Sequence, residues 1–297
     1  LFSDFFFFFR YSALSAFFSL MIYRNISLVL EYDGSNYQGW QRQRQGRTIQ
    51  GVLEETGKRF LGEEISLCAS GRTDAGVHAA GQVASFFTSS SLSVEVMKKA
   101  FNALLPPDIR VINVLEAPSS FHPRKTATGK SYVYVFSLVH PPPVFWKPFV
   151  YSFSSSNFDL DRVRECLSLL EGTHDFTSFS SSGKVDFSPV RTIHSLEIEE
   201  KKSGLLRLWV EGEGFLYNMV RIIAGELWKV GMGKKSPSEI KLMLEKPSRS
   251  LGRLTLPSRG LFLIQVFYPL GFNPYQNLEL IDQGWVTPLW QEKTLPH

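Results

Sequence analysis

Between Ser70 and Val83 the chain reads SGRTDAGVHAAGQV, in which Arg72, Thr73, Asp74 and His78 stand among glycines 71, 76 and 81 with no apolar period. A carboxylate held in such a turn can attack or stabilise an electron-poor carbon, provided it is ionised and sheltered from water. The same residue types can also do no more than bond the backbone of a glycine-assisted turn. This stretch alone leaves both readings open, and a second polar group is needed to decide between them.

That second group is Arg221. The segment FLYNMVRIIAGELW predicts a helix over 215–230 whose apolar residues, among them Met219, Val220, Ile222, Ile223 and Leu227, cover nearly the whole circumference. Such a helix is buried, and a guanidinium in its middle must find an anion or forfeit several kcal/mol of solvation. Asn218 lies one turn earlier on the same stripe, so a narrow polar seam faces one direction. Two sets of partners fit: Glu211 and Glu213 at the end of the preceding strand, or Asp74 from the other half of the chain.

The elements that must carry these residues follow a repeated order. ISLVLEY (26–32) reads as a strand, and TIQGVLEETGKRFL (48–61) as a helix that Thr48 opens, with Ile49, Val52, Leu53 and Phe60 on one face. Strands follow at 65–70 and 82–88, then a helix at 93–105 stopped by Pro106 and Pro107, then a strand at 109–115. The same string restarts with SYVYVFSL (131–138), a helix at 159–170, strands at 192–199 and 205–212, the arginine helix, and a strand at 261–267. Two βαββαβ units predict an α+β fold of two ferredoxin-like halves, 22–125 and 126–270, joined in an extended mixed, mainly antiparallel sheet. A cleft is expected on the face that the helices leave uncovered. The Asp74 loop would then join two neighbouring strands at the sheet's end, a usual place for chemistry.

Both ends read as non-core. Residues 1–21 begin LFSDFFFFFRYSALSAFFSL, whose apolar runs break at Asp4 and Arg10, against a spanning helix of about 20 apolar residues. Their serine content and scarcity of acids suit a plastid or mitochondrial transit peptide. A start at Met21 gives the other reading, a protein of the cytoplasm or nucleus. Residues 271–297, punctuated by Pro and Gly without period, read as a tail.

Composition narrows the class. The 297 residues are 43% hydrophobic, enough for one large or two smaller cores, and 32 Lys and Arg against 28 Asp and Glu give a net charge of +4. That mild basic excess is compatible with a polyanionic partner. Cys68 and Cys166 form no CxxC, so neither a zinc site nor a disulfide framework is indicated, and a reducing compartment follows.

With these residues in place, SGRTDAGVHAAGQV resembles the signature of the TruA-type tRNA pseudouridine synthases. Further segments match that family in order: YDGSNYQGWQRQ (32–43), FNALLPPDIRV (101–111), FHPRKTATGKSYVY (121–134), GTHDFTSF (172–179), FLYNMVRIIAG (215–225) and GLFLIQVFYP (260–269). The resemblance implies the pseudouridine synthase fold around a basic cleft, isomerisation of uridine to pseudouridine in the anticodon stem-loop of tRNA, a homodimer, and no metal or organic cofactor. It implies that Asp74 is the catalytic aspartate and that Arg221 holds it, lowering its pKa. Tyr132 would stack on the target base and assist proton loss from C5. Tyr134 shares its face. Arg72 would help extrude the base, since a uridine inside a stem cannot be reached unflipped. His78 reads as a hydrogen-bonding residue beside the substrate, and Asn218 as a further contact. Tyr217 and Asn218 depart from the commoner pattern, where a His often stands, and this touches substrate contacts, not the chemistry.

Basic residues at 42, 44, 47, 124, 125 and 130 flank aromatics in loops, where they could hold phosphates without reading sequence. A noncatalytic RNA-binding protein on this fold predicts a lost aspartate or arginine, and both are present. A glycosidase needs two carboxyl groups about 5 to 10 Å apart, and the motif offers one.

Overall fold

The computed structural model describes residues 23–154, 157–181, 188–252, 254–269 and 271–275. The expected transit segment lies outside them, as does the tail beyond Tyr275. Alternating apolar runs in the first half pair as β1 (Arg24–Tyr32), β3 (His78–Thr88) and β4 (Ile109–Ala117), with β2 (Cys68–Ala69) on the far edge of β3. In the second half β5 (Gly129–Ser137), β7 (Gly172–Asp175), β8 (Val190–Glu200), β9 (Leu205–Gly212) and β10 (Leu261–Phe267) form the order β10-β5-β9-β8-β7, and β6 (Tyr151–Ser152) adds to β5. Each half keeps the 4-1-3-2 strand order of a ferredoxin-like unit. The final strand, β10, carries the seam: it runs parallel to β3 through Phe262 beside His78 and Leu263 beside Ala79, and antiparallel to β5.

Side chains cap the start of every α-helix described except the arginine helix. Thr48 accepts from the Gly51 amide to open α1 (Ile49–Leu61), Ser93 from Val96 to open α2 (Val94–Leu104), and Asp159 from Arg162 to open α3 (Leu160–Leu170). Gly62 closes α1 at φ 72°, a left-handed position suited to glycine. The arginine helix, α4, spans Met219–Gly231 and is followed by α5 (Pro237–Glu245), which a reciprocal Ser236–Glu239 capping box begins. The helix expected over 215–230 therefore starts four residues late. Asn218 sits at φ 61° and breaks it, leaving Phe215–Asn218 as a loop. The strand expected at 65–70 is only two residues long because buried α1 side chains occupy the backbone before it: Leu67 donates to Glu54 Oε1 and accepts from Gln50 Nε2.

Two cores pack on the same face of the sheet. Ile49, Leu53, Met97 and Phe101 meet Leu28, Leu30 and Phe86 in one; Val163, Leu167, Ile223 and Leu227 meet Tyr134, Phe136 and Leu208 in the other. Tyr132 on β5 packs against both. The opposite face at the centre is not open, which corrects the expected cleft position. Val133, Val135, Phe262 and Ile264 are apolar on that side too, and Val150 with Trp146 and Phe149 covers them. The cleft instead lies on the helix-bearing face, in the gap between the two helix layers. Within the expected tail, Tyr275 is buried, its hydroxyl donating to Gly81 and accepting from the Val266 amide.

Candidate active site

The Asp74 loop is clamped before any substrate arrives. Asp74 opens a tight turn in which its carbonyl accepts from the Val77 amide at 3.1 Å, and Gly76 takes φ 75° at the third position, as a type II turn requires. The preceding Thr73 is held twice: its carbonyl accepts from the Trp40 amide at 3.0 Å and its hydroxyl pairs with Tyr32 at 2.8 Å. A Cβ on Gly39 would stand 2.6 Å from the Thr73 carbonyl, so only glycine admits this approach. Fully buried Gln82 donates to Gly71 and accepts from Ser70. The segment YDGSNYQGWQRQ, matched only as a motif in the sequence, thus braces the loop.

Arg221 reaches the same loop from the other half. Its Nη1 lies 3.6 Å from Asp74 Oδ2, an ion pair just beyond hydrogen-bonding range, with the two side chains 16% and 28% exposed. Nε donates to the Leu256 carbonyl at 2.7 Å and Nη1 to Asn218 Oδ1 at 2.8 Å, which fixes the guanidinium plane. Asn218 in turn donates to Ser181 Oγ. The partner of Arg221 is therefore Asp74, not Glu211 or Glu213.

The electrostatic balance differs from the expected one. Burial raises the Asp74 carboxyl above the ordinary carboxylate range, and Arg221 offsets that only in part. Tyr132 is also pushed up, by burial first and then by Tyr32 and Asp74, so its phenol keeps its proton at neutral pH. Its ring meets Phe215 edge-on at 5.2 Å.

These groups enclose a cavity of about 270 Å³ lined by Arg72, Asp74, Tyr132, Phe215 and Asn218, with Tyr217 at its wall. Arg72 is exposed at its mouth. Two sequence-predicted residues are elsewhere. Tyr134 is fully buried and donates to the Pro257 carbonyl at 2.8 Å. His78 begins β3 with 1% exposure; its Nδ1 lies 3.1 Å from both the Gly34 amide and Asp33, its Nε2 3.2 Å from the Arg259 carbonyl, and its ring stacks on Phe262. It ties the 33–34 loop to β3 and the 259 segment. Phe215, Leu216 and Leu261 line the cavity and were not singled out as site residues, because their sequence reads as helix or strand core. Among the described residues there is no group of three or more His, Cys, Asp or Glu that could hold a metal, and no helix long and apolar enough to cross a membrane.

A two-lobed α+β sheet with an arginine-held aspartate at the seam defines a class of protein, and sequence comparison gives the family. The profile described as tRNA pseudouridine synthase matches residues 28–124 and 167–269. The tRNA pseudouridine synthase A of Clostridium kluyveri is 43% identical over 245 residues, covering 82% of this chain and all of that one. Those of Acetivibrio thermocellus and Geotalea uraniireducens are 39% and 41% identical over 82% of this chain and all of theirs. The chain belongs to the tRNA pseudouridine synthase family, a family of isomerases. Among solved structures, the archaeal box H/ACA sRNP Nop10–Cbf5 complex aligns loosely, at 12% identity and a TM-score of 0.32, over 79% of this chain and 58% of that one.

Proposed function

We propose that this enzyme converts uridine to pseudouridine in the anticodon stem-loop of tRNA, with Asp74 as the catalytic carboxylate. The observation that carries the reading is the Asp74–Arg221 pair, formed across the two halves beside a cavity that Asp74 lines together with Tyr132 and Phe215. The relatives named tRNA pseudouridine synthase A support tRNA as the substrate.

In the isomerisation the bond from N1 to the ribose breaks, uracil turns, and C5 bonds to the same carbon; C5 loses a proton and N1 gains one. Asp74 acts as nucleophile at that sugar carbon or supports the charge developing there, and both roles need the ionised carboxylate. Arg221 keeps it ionised against the pull of burial and holds its direction through Leu256 and Asn218. Tyr132 offers a ring against the uracil, and because its phenol is protonated it takes part in C5 proton loss only by passing a proton on. Arg72, exposed at the mouth, fills the space that an extruded base leaves. A homodimer belongs to the same reading and is tested by sedimentation.

Mapping pseudouridines in tRNA from cells lacking the protein tests the substrate. Loss of pseudouridine at anticodon stem-loop positions, restored by the parent and not by Asp74→Asn, is the expected result. An unchanged map in those cells would overturn the reading.

A further inference from the structure

Lys130 stands on β5 two residues before Tyr132, on the same face. It is half-buried, and its ammonium lies over the active-site loop: a Cβ on Gly71 would be 2.7 Å from Nζ. Next along that loop comes Arg72, at the cavity mouth. Among the described residues no hydrogen bond or ion pair is found for this ammonium, although a lysine is seldom drawn out of water without one.

Among the described residues the surroundings supply no counter-charge. Its cross-strand neighbours are Gly212 on β9 and Val266 on β10. The loop leading into β5 contributes Arg124, whose positive charge bears on Lys130, along with Lys125 and His122, the last in contact with Cys68. The active-site loop contributes Arg72, while its Asp74 is committed to Arg221. Burial first, then Arg124, pull the Lys130 pKa to about 8. A cation in this state is set to receive an anion from outside the protein. Beside a nucleotide extruded into the neighbouring cavity, the anion at hand is the nucleic-acid backbone.

We propose that Lys130 grips the phosphodiester flanking the extruded uridine and makes tRNA affinity fall as the solution becomes mildly alkaline. This rests on tRNA being the substrate. The sign follows from the contact: a bound phosphodiester favours protonated lysine, so the contribution is complete below the free lysine's titration near pH 8 and fades above it.

The test measures binding of an unmodified tRNA transcript to the full chain at pH of about 7 and about 8.5, over a salt series. For the parent, affinity drops about fourfold between the two, following the protonated fraction of a group titrating near 8. Lys130→Arg keeps the affinity at the lower pH and abolishes that drop, since guanidinium stays charged. Lys130→Gln binds more weakly, without the drop, and its log–log salt slope is shallower by about 0.7 to 0.9, one phosphate's worth. A parent affinity that is flat with pH, a Lys130→Arg variant that keeps the drop, or a Lys130→Gln variant with the parent's salt slope overturns the proposal. If Lys130→Gln fails to fold, the parent and Lys130→Arg series decide. Pseudouridine formation by the parent is assayed alongside. Its absence with the binding pattern intact would defeat the isomerase reading alone, and its presence without the pattern would defeat Lys130 alone.

Discussion

Asp74 is caught between two opposing effects, and the residue-scale predictions follow from which one wins. Burial favours the neutral acid and Arg221 the carboxylate, with burial ahead. The proposed role of Asp74 requires the ionised form, so the acid limb of the rate profile should lie above the ordinary carboxylate range. Removing the guanidinium by Arg221→Gln should move that limb to higher pH, and a limb that stays put would separate Arg221 from the ionisation. Stability runs the other way. A carboxyl whose folded pKa is raised holds its proton longer in the folded state, so the folded protein loses stability as pH rises through that window. Asp74→Asn should therefore be more stable than the parent at neutral pH, with the gap closing in acid; thermal melts at the two pH values check it. Asp74 and Arg221 stand out in the sequence because each is a charged group where the pattern calls for none, whereas Tyr132 looks like any strand aromatic and comes only from the family resemblance. The sequence could not show that Tyr134, on the same strand face, is sealed beneath residues 257–260, since strand periodicity gives the face and not the depth.

At the scale of elements, the site depends on loops whose roles are set by where helices begin. Apolar periodicity runs through Phe215 into the arginine helix, and so the sequence predicts helix there; the left-handed Asn218 stops it and turns Phe215 across Tyr132. Asn218 has two jobs, its backbone turn and its hold on Arg221, and two substitutions part them. Asn218→Gly accepts the turn and loses the tether, so it should melt near the parent yet isomerise more slowly. Asn218→Ala loses both and should be about 1 to 2 kcal/mol less stable as well. Equal stability of the two variants in denaturant titrations would show that the turn stores no strain. α5 has a local signal of its own: Ser236, Pro237 and Glu239 spell a capping box with proline at the first helical position.

The whole molecule is two ferredoxin-like halves locked by one parallel seam, with the Asp74 loop from one half and its arginine from the other. The repeat in the element string disclosed the halves. It did not disclose which face holds the cleft, because that depends on Trp146 to Val150 folding back over Val133 and Phe262, a long-range choice with no local signature. If the halves are coupled through the pair, Arg221→Ala should cost about 1 to 2 kcal/mol by leaving a half-buried carboxylate without its partner, and adding Asp74→Asn should recover part of that loss. A double-mutant cycle in which the single effects simply add would show no coupling across the seam. The carboxylate itself is tested most directly by single-turnover pseudouridine formation with Asp74→Asn on a tRNA transcript, at matched occupancy with the parent. Retained tRNA affinity with a rate lower by at least about a thousandfold is the predicted result. Product formed within about tenfold of the parent rate would contradict a catalytic role for Asp74.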